Sequence, residues 1–199
     1  MELIQQVPAL SDYLAADDAI DHEHPLVRST AARLRSEAAG AYAYAEAAYC
    51  FVRDTVVHSV DSGDMRVSWR ASDVLATRNG ICHAKAHALA ALLRAEGIPA
   101  ALCYQGLADD DGDPGVLHGL IALRLPGRDR WDRQDPRGNR PGVDAQFSLD
   151  EEKLAWPVRP GLGEVDYPVL YAAPHPAVLS ALRASADRTE LWRMLPSAL

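Results

Sequence analysis

Asn79-Gly80-Ile81-Cys82-His83-Ala84-Lys85-Ala86-His87-Ala88-Leu89-Ala90-Ala91-Leu92-Leu93-Arg94-Ala95-Glu96-Gly97-Ile98-Pro99-Ala100 is the stretch that organises the chain. Ala86, Leu89, Ala90 and Leu93 recur on one stripe of a helix running from about Ile81 to Glu96. Asn79-Gly80 ahead of it is a turn signal. Gly97 just past its end and Pro99 two residues later are stop signals. Cys82 therefore stands in the first turn, where backbone N–H groups are unpaired and carry partial positive charge. Those groups stabilise a thiolate, the nucleophilic form of cysteine, and can also hold an oxyanion. Cys82 is thus read as a nucleophile rather than as the small buried hydrophobe that a free cysteine often is.

Working outward, Ala100 to Tyr104 reads as a strand and 109–113 as an exposed acidic loop, a solvated connection that could also act as a lid. Val116 to Leu123 is a second strand candidate. Pro126-Gly127 turns it into a third, Arg130 to Gln134, and the short loop favours an antiparallel hairpin. His118 on the second strand is the best imidazole partner for the thiol among seven histidines (His22, His24, His58, His83, His87, His118, His175). Asp135 ends the paired strand, where it can orient the imidazole through its other nitrogen. Asp132 competes, but three residues earlier it faces the opposite side of the strand. His83 and His87 have metal-ligand spacing, yet no Glu lies between them and no third ligand is obvious; a metal-dependent site using His83, His87 and His118 is the weaker reading. His83 is a candidate for the cleft mouth, His87 for a hydrogen bond inside the fold, and Lys85 for a solvated helix position. Cys50 and Cys103 sit in apolar stretches and read as buried.

The remaining elements point to an α+β fold. Helices are expected at 25–38, opened by Pro25, at 41–58, and at about 72–76 with Ser72 as cap, with a turn at 61–64. After the hairpin, Phe147 to Trp156 should include a short helix, Tyr167 to Tyr171 a last strand, and 176–184 and 187–194 two closing helices.

The 199 residues suit a single domain: a helical extension over about 1–60, a catalytic core over about 65–175 and C-terminal helices over about 176–194. Hydrophobic residues make up 48% and charged residues 24%, an ordinary soluble composition able to bury a core without staples. A net charge of -8 argues against nucleic acid or an anionic membrane as partner. A small-molecule, peptide or protein substrate fits instead; the oligomeric state is not legible. Three widely spaced cysteines form no disulfide framework and include no CxxC pair. With no signal-like start and no run of ~18 apolar residues, a reducing cytoplasm is the expected compartment. No cofactor is called for, and the acidic run lacks the spacing and closing Glu of a calcium loop.

The stretch from Gly80 to Ala100 resembles the signature of the transglutaminase-like superfamily, which shares a papain-like fold. In that family a Gly-x-Cys opens the central helix and an Arg-Ala-x-Gly-Ile-Pro run closes it, matched here by Gly80-Ile81-Cys82 and Arg94-Ala95-Glu96-Gly97-Ile98-Pro99. The family's catalytic His and Asp follow on successive strands, matched by His118 and by Trp131-Asp132-Arg133-Gln134-Asp135-Pro136. The resemblance covers roughly residues 70–140. Asp135-Pro136-Arg137-Gly138-Asn139 and Gly163-Glu164-Val165-Asp166 are similar to a bacterial branch of small stand-alone members, usually called transglutaminase-like proteins or predicted cysteine proteases. The resemblance implies a Cys82–His118–Asp135 triad performing thiol-mediated hydrolysis, or acyl transfer to an amine. Some members have lost their triad and serve as binding modules. Trp69 could lend an indole N–H to the oxyanion hole, as a tryptophan does in the animal enzymes. Many members carry an aromatic residue soon after the catalytic His, whereas here Gly119-Leu120 follows, so the shape beside the imidazole differs.

Overall fold

The computed structural model describes residues 1–108 and 115–199; the acidic loop and its suggested role as a lid lie outside them. The chain opens with a short strand β1 (Ile4–Gln5), a 3₁₀ turn (Leu10–Leu14) and two helices, α1 (Pro25–Ser36) and α2 (Gly40–Thr55). Pro25 occupies the first turn of α1, and the His24 imidazole caps that helix by accepting the Leu26 N–H at 3.2 Å. Then come β2 (Val57–His58), α3 (Ser59–Ser62), α4 (Ala71–Thr77), β3 (Asn79–Gly80) and the central helix α5 (Cys82–Ala95). Three strands follow, β4 (Ala100–Leu107), β5 (Val116–Leu123) and β6 (Asp132–Gln134). A 3₁₀ turn (Pro160–Leu162), β7 (Val165–Asp166), β8 (Val169–Leu170), α6 (Pro176–Ala184) and α7 (Arg188–Met194) complete it.

The main sheet runs β6-β5-β4-β7, all neighbours antiparallel, so β5 is interior. α5 lies between β4 and β5 on one side and α1, α2 and α4 on the other. Every residue from Cys82 to Arg94 is buried. The apolar stripe of the sequence is thus only part of a helix enclosed all round. Alanine explains how: Ala45 and Ala48 of α2 and Ala84, Ala88 and Ala91 of α5 are fully buried, and small side chains allow close helix approach.

The signature run after α5 is a closure device. Gly97 adopts φ +73°, its N–H bonds to the Arg94 carbonyl, and the Ile98 N–H reaches the Leu93 carbonyl at 3.0 Å, a Schellman stop. Buried Arg94 donates to the carbonyls of Ala15, Ala100 and Ala172, tying three distant segments to the helix end.

Several local expectations are corrected. Lys85 is fully buried rather than solvated; its ammonium donates to the Arg53 (3.2 Å) and Val56 carbonyls, which end α2. There the negative end of the helix dipole compensates part of the burial of charge. Asn79-Gly80 is no free turn: it pairs in parallel with Val57-His58, and the chain reverses one residue earlier at Arg78, φ 53°. Ser72 lies inside α4 and binds the Asp21 carboxylate from there. Phe147 to Trp156 forms no helix but an irregular strap over the sheet edge, for which the site supplies the reason.

Candidate active site

Cys82 is the first residue of α5 and is 8% exposed. β5 packs against that helix and delivers His118, whose ring and the Gly119 N–H lie close enough to Cys82 to stabilise a charged sulfur. The other ring nitrogen, Nε2, lies 2.8 Å from Asp135 Oδ2. Asp135 follows β6 directly, and the β5–β6 register (Ile121 opposite Gln134) brings it level with His118. The structure therefore brings Cys82, His118 and Asp135 together at the helix end, with a hydrogen bond joining the last two.

The carboxylate is fully buried and its lone pairs are well occupied. Oδ1 accepts the Arg137 N–H and Oδ2 the Ala155 N–H, each at 3.0 Å. Here the irregular strap is explained: it has to bring one N–H to Asp135 and the Trp156 ring edge-on to His118, 5.1 Å between centroids. A regular helix there would turn its N–H groups inward. The Tyr49 hydroxyl fixes the Asp135 carbonyl at 2.9 Å.

Charge follows from these contacts. Burial alone would lower the pKa of His118, but the Asp135 and Cys82 charges and hydrogen bonds raise it to about 10. Burial alone would raise the pKa of Cys82, but His118 and the Gly119 N–H bring it below the ordinary thiol value. Asp135 is likewise held below the usual carboxylate range, against its burial, chiefly by His118. All three shifts run toward the charged forms, each group's charge favouring its neighbour's. The other thiols are the reverse: burial pushes Cys50 up and Cys103 to about 12.

These groups open onto a cavity of about 480 Å³ whose walls include Cys82, His118, His58, Arg137, Trp156 and Trp192. Arg137 stacks over Trp156 at 5.4 Å and pairs through its two terminal guanidinium nitrogens with Asp61 of α3. Arg159 and Glu164, an ion pair at 2.6 Å, form part of the rim.

Two candidates are placed elsewhere. The Trp69 indole is flanked by the guanidiniums of Arg70 and Arg183 at 4.9 and 4.8 Å, and its carbonyl is bound by His87 Nδ1; it is not part of the cavity wall. His83 is not at the cleft mouth: it is 1% exposed beneath β5, with Nε2 3.0 Å from the Leu117 carbonyl. Asp132 sits at the far end of β6, paired with Arg128 and Arg130. Among the described residues no three His, Cys, Asp or Glu side chains are grouped to hold a metal ion, and no helix is long and apolar enough to cross a membrane.

Gly119 answers the departure noted beside His118. A Cβ built there would stand 2.3 Å from His83 Nδ1, so no side chain fits. A residue the sequence did not single out also appears: His58, whose Nε2 lies 3.1 Å from the Cys82 backbone nitrogen. Nothing local to Val56-Val57-His58 announces this, because the β2–β3 pairing that brings it there spans more than twenty residues.

A cysteine at the head of a buried central helix, backed by an antiparallel sheet carrying a histidine and an aspartate, defines the class. The model of the transglutaminase-like superfamily matches residues 28–136, more than half of the chain, and the protein belongs to that superfamily. The match begins within the helical stretch expected as an extension. Among solved structures, the fold is similar to that of a candidate cysteine protease from Cytophaga hutchinsonii (TM-score 0.54, 20% identity, covering 66% of this chain and 43% of that one). A second, described as a TGase, gives a TM-score of 0.42 at 14% identity, covering 77% of this chain and 43% of that one. The protein thus spans less than half the length of either. No curated protein matches it by sequence.

Proposed function

We propose that the protein is a thiol-dependent acyl enzyme with Cys82 as nucleophile, His118 as acid–base and Asp135 as the group that orients and charges the imidazole. The observation that carries this reading is the buried His118–Asp135 hydrogen bond beside Cys82, with Cys82 and His118 in the wall of one cavity. The Cys82 thiolate attacks the carbonyl carbon of an amide, peptide or ester; the S–C bond forms and the π electrons move to oxygen. Collapse expels the leaving group, which takes its proton from the His118 imidazolium, and an acyl-thioester remains. Neutral His118 then takes a proton from water as the water oxygen bonds to the acyl carbon; collapse breaks the S–C bond, releasing the acid and regenerating the thiolate beside imidazolium. An amine in place of water would give acyl transfer through the same residues. Water is the favoured acceptor because the motifs after the triad are similar to those of the small stand-alone branch.

The test is iodoacetamide labelling of Cys50, Cys82 and Cys103 from pH 5 to 10, followed by peptide mass spectrometry. Cys82 should label well below its ordinary thiol pKa of ~8.5 and the other two should not. A Cys82→Ala variant should lose hydrolysis of p-nitrophenyl acetate while keeping its fold. If Cys82 labels no faster than a model thiol, the site is a binding cleft rather than a catalytic one.

A further inference from the structure

Cys82 is followed at once by a buried histidine that this mechanism leaves unused. His83 shares the first turn of α5 with the nucleophile, yet it is not part of the cavity wall. Its Nε2 lies 3.0 Å from the Leu117 carbonyl. A carbonyl only accepts, so this nitrogen carries the ring hydrogen. Burial keeps the imidazole neutral, with a pKa lowered to about 3, which leaves a lone pair on Nδ1. No donor meets that lone pair among the described residues. Nδ1 instead fills the space above Gly119, 2.3 Å from where a Cβ would stand. The ring also packs against Tyr104, the partner of Gly119 in the β4–β5 ladder. The residues that His83 holds are therefore 117 and 119, and the residue between them is His118.

This part of β5 has need of such a hold. β4 pairs with β5 along its whole length, but β6 pairs only with residues 121–123. Over 116–120 the strand thus has β4 on one flank and, among the described residues, no strand on the other. His118 lies on that one-sided stretch. Asp135 holds the far ring nitrogen from the end of β6, which fixes the imidazole relative to the sheet. The His83–Leu117 bond ties the backbone beside His118 to the helical turn that carries the sulfur.

We propose that His83 is a positioning residue: by locking β5 to the first turn of α5 on both flanks of His118, it sets the reach of that imidazole to the Cys82 sulfur. This rests on the reading of Cys82 as the nucleophile. Being neutral, the His83 ring lends the thiol no charge of its own; it controls where the His118 charge stands. The other titratable groups around the thiol, Asp135 after β6 and the neutral His58 of β2, are untouched when His83 is replaced. A rise in the thiol pKa on that replacement therefore reports a displaced His118. A catalytic group misplaced by ~1 Å costs about 10²-fold in rate.

Two measurements test this. The first needs no variant: the ¹⁵N and ¹³C shifts of the labelled His83 imidazole should show a neutral ring with its hydrogen on Nε2, and an Nδ1–H tautomer overturns the proposal. The second compares two replacements of similar size, His83→Met, which fills the space without a donor, and His83→Gln, whose amide can donate to the Leu117 carbonyl. Val27→Ala, a deletion in the fully buried face of α1, serves as a variant destabilised away from the site. In His83→Met the pH midpoint of iodoacetamide labelling at Cys82 should rise by about one unit or more, toward the ordinary thiol value of ~8.5. Its kcat for p-nitrophenyl acetate should fall about 10²-fold. Its KM should stay within about threefold of wild type, because His83 does not line the cavity. His83→Gln should recover part of both losses, and Val27→Ala should show neither. An unmoved midpoint and kcat in His83→Met, equal changes in Val27→Ala, or a Gln variant no better than Met overturns the proposal. Slow labelling of Cys82 already in the wild type strikes the nucleophile reading itself and this role with it, whereas fast wild-type labelling with an unaffected Met variant strikes this role alone.

Discussion

Gly119→Ala adds one methyl group at a position where the structure leaves no room. The new Cβ would lie 2.3 Å from His83 Nδ1 and 3.0 Å from both Cγ and Cε1. Ordinary carbon contacts begin near ~3.5 Å, so the overlap exceeds about 1 Å. Neither side yields easily. His83 is 1% exposed, its Nε2 is held by the Leu117 carbonyl at 3.0 Å, and its ring packs against Tyr104 at 5.9 Å. Gly119 lies on β5, paired with Tyr104 of β4. Overpacking of a closed core costs about 1–3 kcal/mol, and this site belongs at the upper end, about 3 kcal/mol. His83→Ala alone should cost about 2–4 kcal/mol, from the void and the unbonded Leu117 carbonyl. In the double variant the methyl group meets empty space, so Gly119→Ala should cost little there, a coupling of about 2–3 kcal/mol. Urea denaturation of the four proteins measures the cycle. If Gly119→Ala stays within ~0.5 kcal/mol of wild type, or costs as much without the imidazole as with it, the steric account is wrong.

Two further outcomes are expected. Asp135→Asn places an amide where both carboxylate oxygens accept backbone N–H groups; turnover should fall by about 10²–10⁴-fold, and the His118 pKa, seen by NMR titration, should drop from about 10. Unchanged turnover would remove Asp135 from the mechanism. Burial lowers the Lys85 pKa from 10.5 to about 7, so between those values the unfolded chain binds the extra proton. Stability should then rise with pH across this window, by up to about 1.4 kcal/mol per unit, and the gain should vanish in Lys85→Met. A wild type and variant with the same pH slope in urea melts would show that Lys85 remains charged when folded.

The central helix, its stop at Gly97, the strands around His118 and the order Cys82, His118, Asp135 were legible in the sequence. Each is encoded locally, by periodicity, turn residues or a helix end whose electrostatics do not depend on the rest of the chain. Other features depend on what lies across the fold. Lys85 looked like a surface lysine because its neighbours in sequence do not reveal that the end of α2 covers it. Trp69 and His83 were chemically suited to the cleft, yet packing turned one toward two arginines and the other beneath β5. Gly119 appeared as a departure from the family pattern, and only the imidazole behind it shows why no side chain fits. His58 carried no local signal at all. A sequence determines short-range geometry residue by residue, whereas which side chains meet across β2 and β3, or across α5 and β5, is decided by long-range pairing and close packing, and that is where the wall of this site is made.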